Sequence, residues 1–152
     1  MYSNGICAFI GHRQIPSAAE ENVRNAAEAF LLETERAVFL TGGMGAFDTA
    51  ASRAVRSLKL QYPRREISLR LILPSMRYVP KPEYMFLYED LYDEILVCEA
   101  SDGAHFKAMI GIRNRWMIDQ ADLVIAYVRY DYGGAYQALN YAKRQGKRIL
   151  LL

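Results

Sequence analysis

Six of the ten glycines stand directly beyond apolar runs, beside residue types that bind anions. Gly11 ends Cys7-Ala8-Phe9-Ile10 and leads into His12-Arg13. Gly42, Gly43 and Gly45 follow Phe39-Leu40-Thr41 and lead into Ala46-Phe47-Asp48. Gly133 and Gly134 close Tyr127-Val128-Arg129-Tyr130-Asp131-Tyr132 and lead into Ala135-Tyr136. Glycine in such a place accepts a positive φ and lets backbone N–H groups approach a ligand with no Cβ in the way. A helix starting just after the turn adds unpaired N–H donors and the positive end of its dipole, which suits phosphate. One such turn is explained by geometry, because tight strand-to-helix connections need glycine. Three at one edge of a sheet point to a small anionic ligand.

Charged residues extend the pattern. Arg13 follows the first apolar run, Arg77 the third with Lys81 close behind, and Arg113 and Arg115 lie in Ile110-Gly111-Ile112-Arg113-Asn114-Arg115-Trp116-Met117. A guanidinium clamps phosphate or carboxylate through two parallel hydrogen bonds. Arg53, Arg56, Arg64, Arg65 and Arg144 read instead as solvated helix faces. Asp48 has two readings, a partner for ribose hydroxyls or a complement to the helix dipole. His12 is either an acid–base group or a loop histidine serving backbone groups, and His105 reads as structural. Cys7 and Cys98 sit in apolar runs as small core residues. With two histidines they indicate no metal site, and no cofactor is expected.

These residues need elements to position them. Six short apolar runs recur at Ile6 to Ile10, Ala37 to Leu40, Leu69 to Leu73, Ile95 to Cys98, Leu123 to Tyr127 and Arg148 to Leu152. Several are continuous instead of alternating, as strands covered on both faces are. Helical periods lie between them: Val23, Ala26, Ala27, Phe30 and Leu31; Ala50, Ala51, Ala54, Val55 and Leu58; Met109, Ile112, Trp116, Met117 and Ala121; Ala135, Ala138, Leu139 and Ala142. Ser17-Ala18-Ala19-Glu20 has capping-box spacing, and Gly146 is placed to end the last helix. Alternating strand and helix predicts an α/β fold, a parallel sheet wrapped on both faces. Pro74, Pro80 and Pro82 break the stretch before Tyr84, Leu87, Tyr88, Leu91 and Tyr92. That last stripe is either a helix packed on the sheet or a lid or subunit contact.

A length of 152 residues predicts one domain, 1–152, and 52% hydrophobic with 24% charged residues fits a folded core. Nineteen Lys and Arg against 17 Asp and Glu give a net charge of +2, from which a nucleic-acid partner is not expected. No run reaches the roughly 18 apolar residues of a membrane span, and Met1-Tyr2-Ser3-Asn4 lacks the charge that opens a leader. The expectation is a reduced, cytoplasmic protein with no membrane partner.

Cys7-Ala8-Phe9-Ile10-Gly11-His12-Arg13, the Thr41 to Asp48 loop, Arg113-Asn114-Arg115-Trp116-Met117-Ile118-Asp119 running into Ala121-Asp122, and Gly133-Gly134 together resemble the SLOG superfamily. Within it the resemblance is to small YpsA-like bacterial proteins. LOG-type phosphoribohydrolases and the Rossmann-like domain of the DNA-processing protein DprA are relatives. The resemblance covers nearly the whole chain and is weakest between Leu58 and Tyr92. It implies a Rossmann-like three-layer sandwich, with a mostly parallel sheet of about six strands under helices on both faces. It also implies a small nucleotide-derived ligand, ADP-ribose among the candidates, and a homo-oligomer.

The ligand-binding residues expected on this basis are Gly11, His12, Arg13, Thr41, Gly42, Gly43, Gly45, Asp48, Arg113, Asn114, Tyr132, Gly133, Gly134, Ala135 and Tyr136. Gly42, Gly43 and Gly45 would give N–H groups to phosphate, so that Gly43→Val would abolish binding while the fold survives. Gly133 and Gly134 would close over the same group, Arg13 and Arg113 supply charge, and Tyr132 or Tyr136 stack on a base. LOG-type hydrolases cleave an N-glycosidic bond with an arginine, matched by Arg113, and a glutamate after the second glycine turn. Here Ala135-Tyr136-Gln137-Ala138-Leu139-Asn140 follows, with no carboxylate. An amide takes no proton, so the expected role is a sensor or regulatory domain. Asp48, Glu99 or Asp131 would have to substitute in an enzyme. An interaction module, including a single-strand nucleic-acid binder, is the third reading.

Overall fold

A computed structural model describes residues 2–152; Met1, part of the stretch read for a leader, lies outside the described residues. The chain runs β1 (Tyr2–Gly11), α1 (Ala19–Leu32), β2 (Thr34–Thr41), α2 (Ala46–Gln61), β3 (Glu66–Leu73), then two 3-10 turns (Met76–Tyr78, Pro82–Tyr84). It continues with α3 (Met85–Leu91), β4 (Glu94–Val97), α4 (Phe106–Gln120), β5 (Leu123–Tyr127), α5 (Gly134–Arg144) and β6 (Arg148–Leu151). The six strands form one sheet in the order β4-β3-β2-β1-β5-β6, and every pairing is parallel. Each predicted apolar run is a strand. No helix among the described residues is long and apolar enough to cross a membrane.

Strand side chains alternate between faces, and the two faces are built from different residues. Cys7, Phe9, Phe39, Leu69 and Ile125 pack with α1 and α2 in a cluster holding Phe30 and Phe47. Phe9 stacks on Phe39 with centroids 5.6 Å apart, and Phe30 meets Phe39 edge-on at 5.8 Å. Ala8, Ile10, Leu40, Ile72, Val124 and Ala126 point the other way, onto Met117, Ile118, Ala138 and Ala142 of α4 and α5. A fully buried phenylalanine is worth about 3–5 kcal/mol against alanine, so the aromatic face dominates the core.

Two aspartates fix strand order by the same device. Asp122 accepts from Ile6 N–H through Oδ2 at 2.8 Å while its own N–H donates to Ile6 O at 2.7 Å. Asp93 does this to Leu69, at 2.7 and 2.9 Å. Each closes the chain back onto the strand beside it. Strand order reverses between β1 and β5, and a crevice opens beyond their carboxyl ends.

Three expectations need correction. Helix α1 starts at Ala19 with Ala18 as its N-cap and no side-chain cap; backbone bonds from Ala19 N–H to Pro16 O and Glu20 N–H to Ser17 O close the turn. On α4, Ile112 and Trp116 are only half-buried, and the face turned inward is Met109, Arg113, Met117 and Ile118. Helix α3 buries no residue: Phe86, Leu87 and Leu91 are exposed, as is Tyr84 before it, and the stripe meets the core at its end, where half-buried Tyr92 packs against the cluster under α1 and α2. Its apolar spacing is real, but after three prolines the seven-residue helix reaches the core through Tyr92 at its end and not along its length. Gly146 ends α5 as expected, at φ 67°.

Candidate ligand-binding cleft

Beyond β1 and β5 lies a cleft of about 320 Å³. Of the expected residues, Gly11, His12, Arg13, Gly42, Asp48, Arg113, Asn114, Tyr132, Gly133, Gly134 and Ala135 line it. Thr41, Gly43, Gly45 and Tyr136 do not, and Phe9, Ile10, Met44, Ile110 and Tyr130 line it unforeseen. Ile110 stands one turn before Arg113 on α4, a spacing that would have found it. Arg77, Lys81 and Arg115 lie outside it; Arg115 sits 6.0 Å over the Tyr141 ring.

The first glycine turn is already occupied by its own protein. Gly43 N–H donates to Thr41 Oγ1 at 3.2 Å and Met44 N–H to Asp48 Oδ2 at 2.9 Å. At the start of α2, Ala46 N–H donates to Arg13 O at 2.8 Å and Phe47 N–H to His12 O at 3.3 Å. The glycines are needed for close approach. A Cβ on Gly11 would stand 2.2 Å from Phe47 Cγ, on Gly42 2.6 Å from the Arg113 guanidinium, and on Gly43 2.5 Å from Leu71 Cδ1. Gly43 N–H is therefore already bonded inside the turn, whereas the N–H groups of Gly42, which lines the cleft, and Gly45 have no acceptor among the described residues; Gly43→Val would disturb packing against Leu71 as well as any binding.

The second turn is open. Gly133 caps α5 at φ 90°, and a Cβ on Gly133 or Gly134 would meet nothing within 4 Å. Gln137 N–H closes the first turn on Gly133 O. Among the described residues, nothing accepts from the N–H groups of Gly134, Ala135 or Tyr136. No acidic side chain stands in that turn either.

Above the turn three rings form a continuous stack. His12 lies on Tyr130 at 3.7 Å and 3°, and Tyr130 on Tyr132 at 4.4 Å and 27°. Tyr132 is 67% exposed, so the outer face of the stack is free to take another ring. His12 itself is buried, and its Nε2 accepts Arg129 N–H at 2.8 Å, which makes it the neutral tautomer with hydrogen on Nδ1. Burial lowers its pKa further. It serves the backbone and carries the stack, and His105 caps α4 by accepting Lys107 N–H.

Arg113 is buried at 2% exposure, on the inner face of α4. Its Nη1 donates to Ile72 O at 2.8 Å and Gly42 O at 3.3 Å, and its Nε to Asn114 Oδ1 at 3.0 Å. Much of its hydrogen-bonding capacity is spent pinning α4 to the ends of β2 and β3. Burial lowers its pKa, opposed chiefly by Asp48. Asp48 is buried too, and burial pushes its carboxyl up to about 6 against the Met44 N–H, Arg113 and Arg13. Glu99 and Asp131 do not line the cleft, so Asp48 is its one carboxylate among the described residues. Arg13 is exposed, and its guanidinium makes no hydrogen bond or ion pair among the described residues. No group of three or more His, Cys, Asp or Glu among the described residues is placed to hold a metal ion.

Neither a protein-family model nor a curated protein sequence matches the chain. Solved structures do. DNA processing protein A from Helicobacter pylori, described with a unique single-stranded DNA binding mode, superposes with a TM-score of 0.69 at 18% identity, over 97% of this chain and 64% of that one. DprA from Streptococcus pneumoniae gives 0.66 at 19% identity, over 97% of this chain and 50% of that one. TM1055, a structural-genomics target, gives 0.62 at 14% identity over 95% and 72%. The chain thus spans about two thirds or less of the two DprA chains. These likenesses show the Rossmann-like fold that the SLOG resemblance implies. They also overturn the expectation of no nucleic-acid partner, since a protein of this fold binds single-stranded DNA. Net charge sums the whole surface, whereas single strands are held by local cations and stacked rings.

Proposed function

We propose that the cleft binds a phosphorylated nucleoside, with the phosphate on the N–H groups of Gly134, Ala135 and Tyr136 beside Arg13, and the base against Tyr132. The chain then acts as a sensor or regulatory domain for a nucleotide-derived ligand. The observation that carries this reading is the open amino end of α5, with three unaccepted donors, two of them on Gly134 and Ala135 that line a cleft walled by stacked rings. Anions are favoured there by donors and helix dipole together. Thermal unfolding against nucleoside mono- and diphosphates and ADP-ribose tests it. A ligand at about 100 times its Kd adds roughly 2.7 kcal/mol, a shift of several degrees. The same mixtures are assayed for free base. No shift with any compound removes the reading, and released base would replace sensing with N-glycosidic cleavage, Asp48 being the carboxylate to examine.

A second reading is that the phosphorylated nucleoside belongs to single-stranded nucleic acid. The exposed rings of Tyr130 and Tyr132, stacked on buried His12, and the likeness to the Helicobacter pylori protein favour it. Binding of an oligonucleotide that weakens steeply with salt would support it, because phosphate contacts release counterions.

A further inference from the structure

We infer that Tyr78, Tyr88 and Tyr92 form a second aromatic subsite, which takes the second nucleoside of a ligand whose two nucleosides are joined through phosphate. The inference rests on the reading above for the first nucleoside and extends it across the first glycine turn. A second cleft, of about 460 Å³, lies between that turn and the segment before β4. It shares Arg13, Gly42, Met44 and Ile110 with the first, so the two adjoin along those residues as one trough.

The walls of the second cleft name its occupant. Tyr78, Tyr88 and Tyr92 bring three phenol rings to it, and Tyr88 and Tyr92 lie at 26° with centroids 6.4 Å apart. Gly43, Leu71 and Leu73 add apolar surface to it. No acidic side chain lines it among the described residues, which disfavours a cation. A base is flat, half-polar and stacks on such rings regardless of its identity. Between the two aromatic ends stands Arg13, whose guanidinium makes no hydrogen bond or ion pair among the described residues and feels Asp48 only through its charge. A bridging phosphate or pyrophosphate would sit there.

Two sources share this chemistry, a pyrophosphate-linked dinucleotide and a 3′–5′ step of single-stranded DNA. The test measures the affinity of the whole chain for adenosine monophosphate, for two adenosines linked through 5′,5′-pyrophosphate, and for the deoxyadenosine dinucleotide bearing a 5′-phosphate. At least one two-base ligand is expected to bind about tenfold or more tightly than the mononucleotide. Tyr78→Ala and Tyr88→Ala should erase that gain while leaving mononucleotide affinity unchanged, and Tyr88→Phe should keep it. Which linkage gains identifies the source. A mononucleotide that binds with no gain from the second base, or a gain that survives both alanine variants, overturns the second subsite alone. Failure of every ligand to bind overturns the cleft reading and this inference with it.

Discussion

Gly45 and Gly133 cap α2 and α5 with nearly one backbone conformation, φ 94° and 90° with ψ 177° in both. At α2 the first two N–H groups of the helix are taken. Its donors go to Arg13 O and His12 O, and a Cβ on Gly45 would lie 2.7 Å from Arg13 Cα. The turn between β1 and α1 thus occupies the place an anion would take. At α5 the same geometry faces open space, with three donors unaccepted. What a glycine turn can bind is set by the neighbours that reach it first, and the turn's own sequence does not record them.

Substitution at the two caps separates them most widely. Gly45→Ala forces a positive φ on a side chain with no room, and should cost about 2–5 kcal/mol in a urea titration. Gly134→Val should leave urea stability within about 1 kcal/mol of wild type, since nothing stands within 4 Å. Its branched side chain beside the α5 donors should still weaken nucleotide binding about tenfold or more by calorimetry. Equal stability losses at the two caps would erase the distinction between them.

The occupied turn also has a pH signature. Asp48 has a folded pKa raised to about 6, above its ordinary 3.8. Its contribution to stability is therefore complete below pH 4 and is lost as pH rises through 6, in total on the order of 3 kcal/mol. Asp48→Asn, which can still accept the Met44 N–H, should gain on wild type across that window in urea midpoints and run parallel above pH 7. Arg113→Met tests the pin behind the same turn. It leaves the carbonyls of Gly42 and Ile72 unpaired in the core, at about 1–3 kcal/mol for each group lost. The smallest effect belongs to the open side. Tyr132→Ala should lower affinity for a nucleotide by about 1 kcal/mol without moving the unfolding temperature.

Much of the fold is legible because continuous apolar runs and 3.6-residue stripes report burial directly. All six strands and the inner faces of α1, α2 and α5 follow from them. On α4 the stripe misleads: Arg113 counts as polar, yet it lies on the buried face because two strand ends present carbonyls to it. The same blindness affects the site. Gly-Gly-Met-Gly and Tyr-Gly-Gly read alike as turns for phosphate, and only the contacts of Arg13 and His12, distant in the chain, tell them apart. Tyr130 stands in the quoted loop without being picked as a site residue, since nothing local shows that His12 lies beneath its ring. The tyrosines before β4 show their helical spacing plainly, but spacing does not say what they face.

The pin formed by Arg113 has a consequence for how this chain can change its length. Helix α4 is held at Arg113 to the ends of β2 and β3, and just beyond its last turn Asp122 is held to Ile6 of β1. One residue inserted between those two points would swing one of them about 100° around the helix axis. Both anchors could not then be met, and the buried guanidinium would face the wrong layer. The stretch from Arg77 to Leu91 lies between two tethers, Met76 N–H to Asp102 and Asp93 to Leu69, and within it no hydrogen bond among the described residues ties it to a helix or strand of the sheet. Insertions and deletions there alter the width of the trough and leave the sheet intact, so variation in chain length among descendants of this sequence has one cheap place to accumulate.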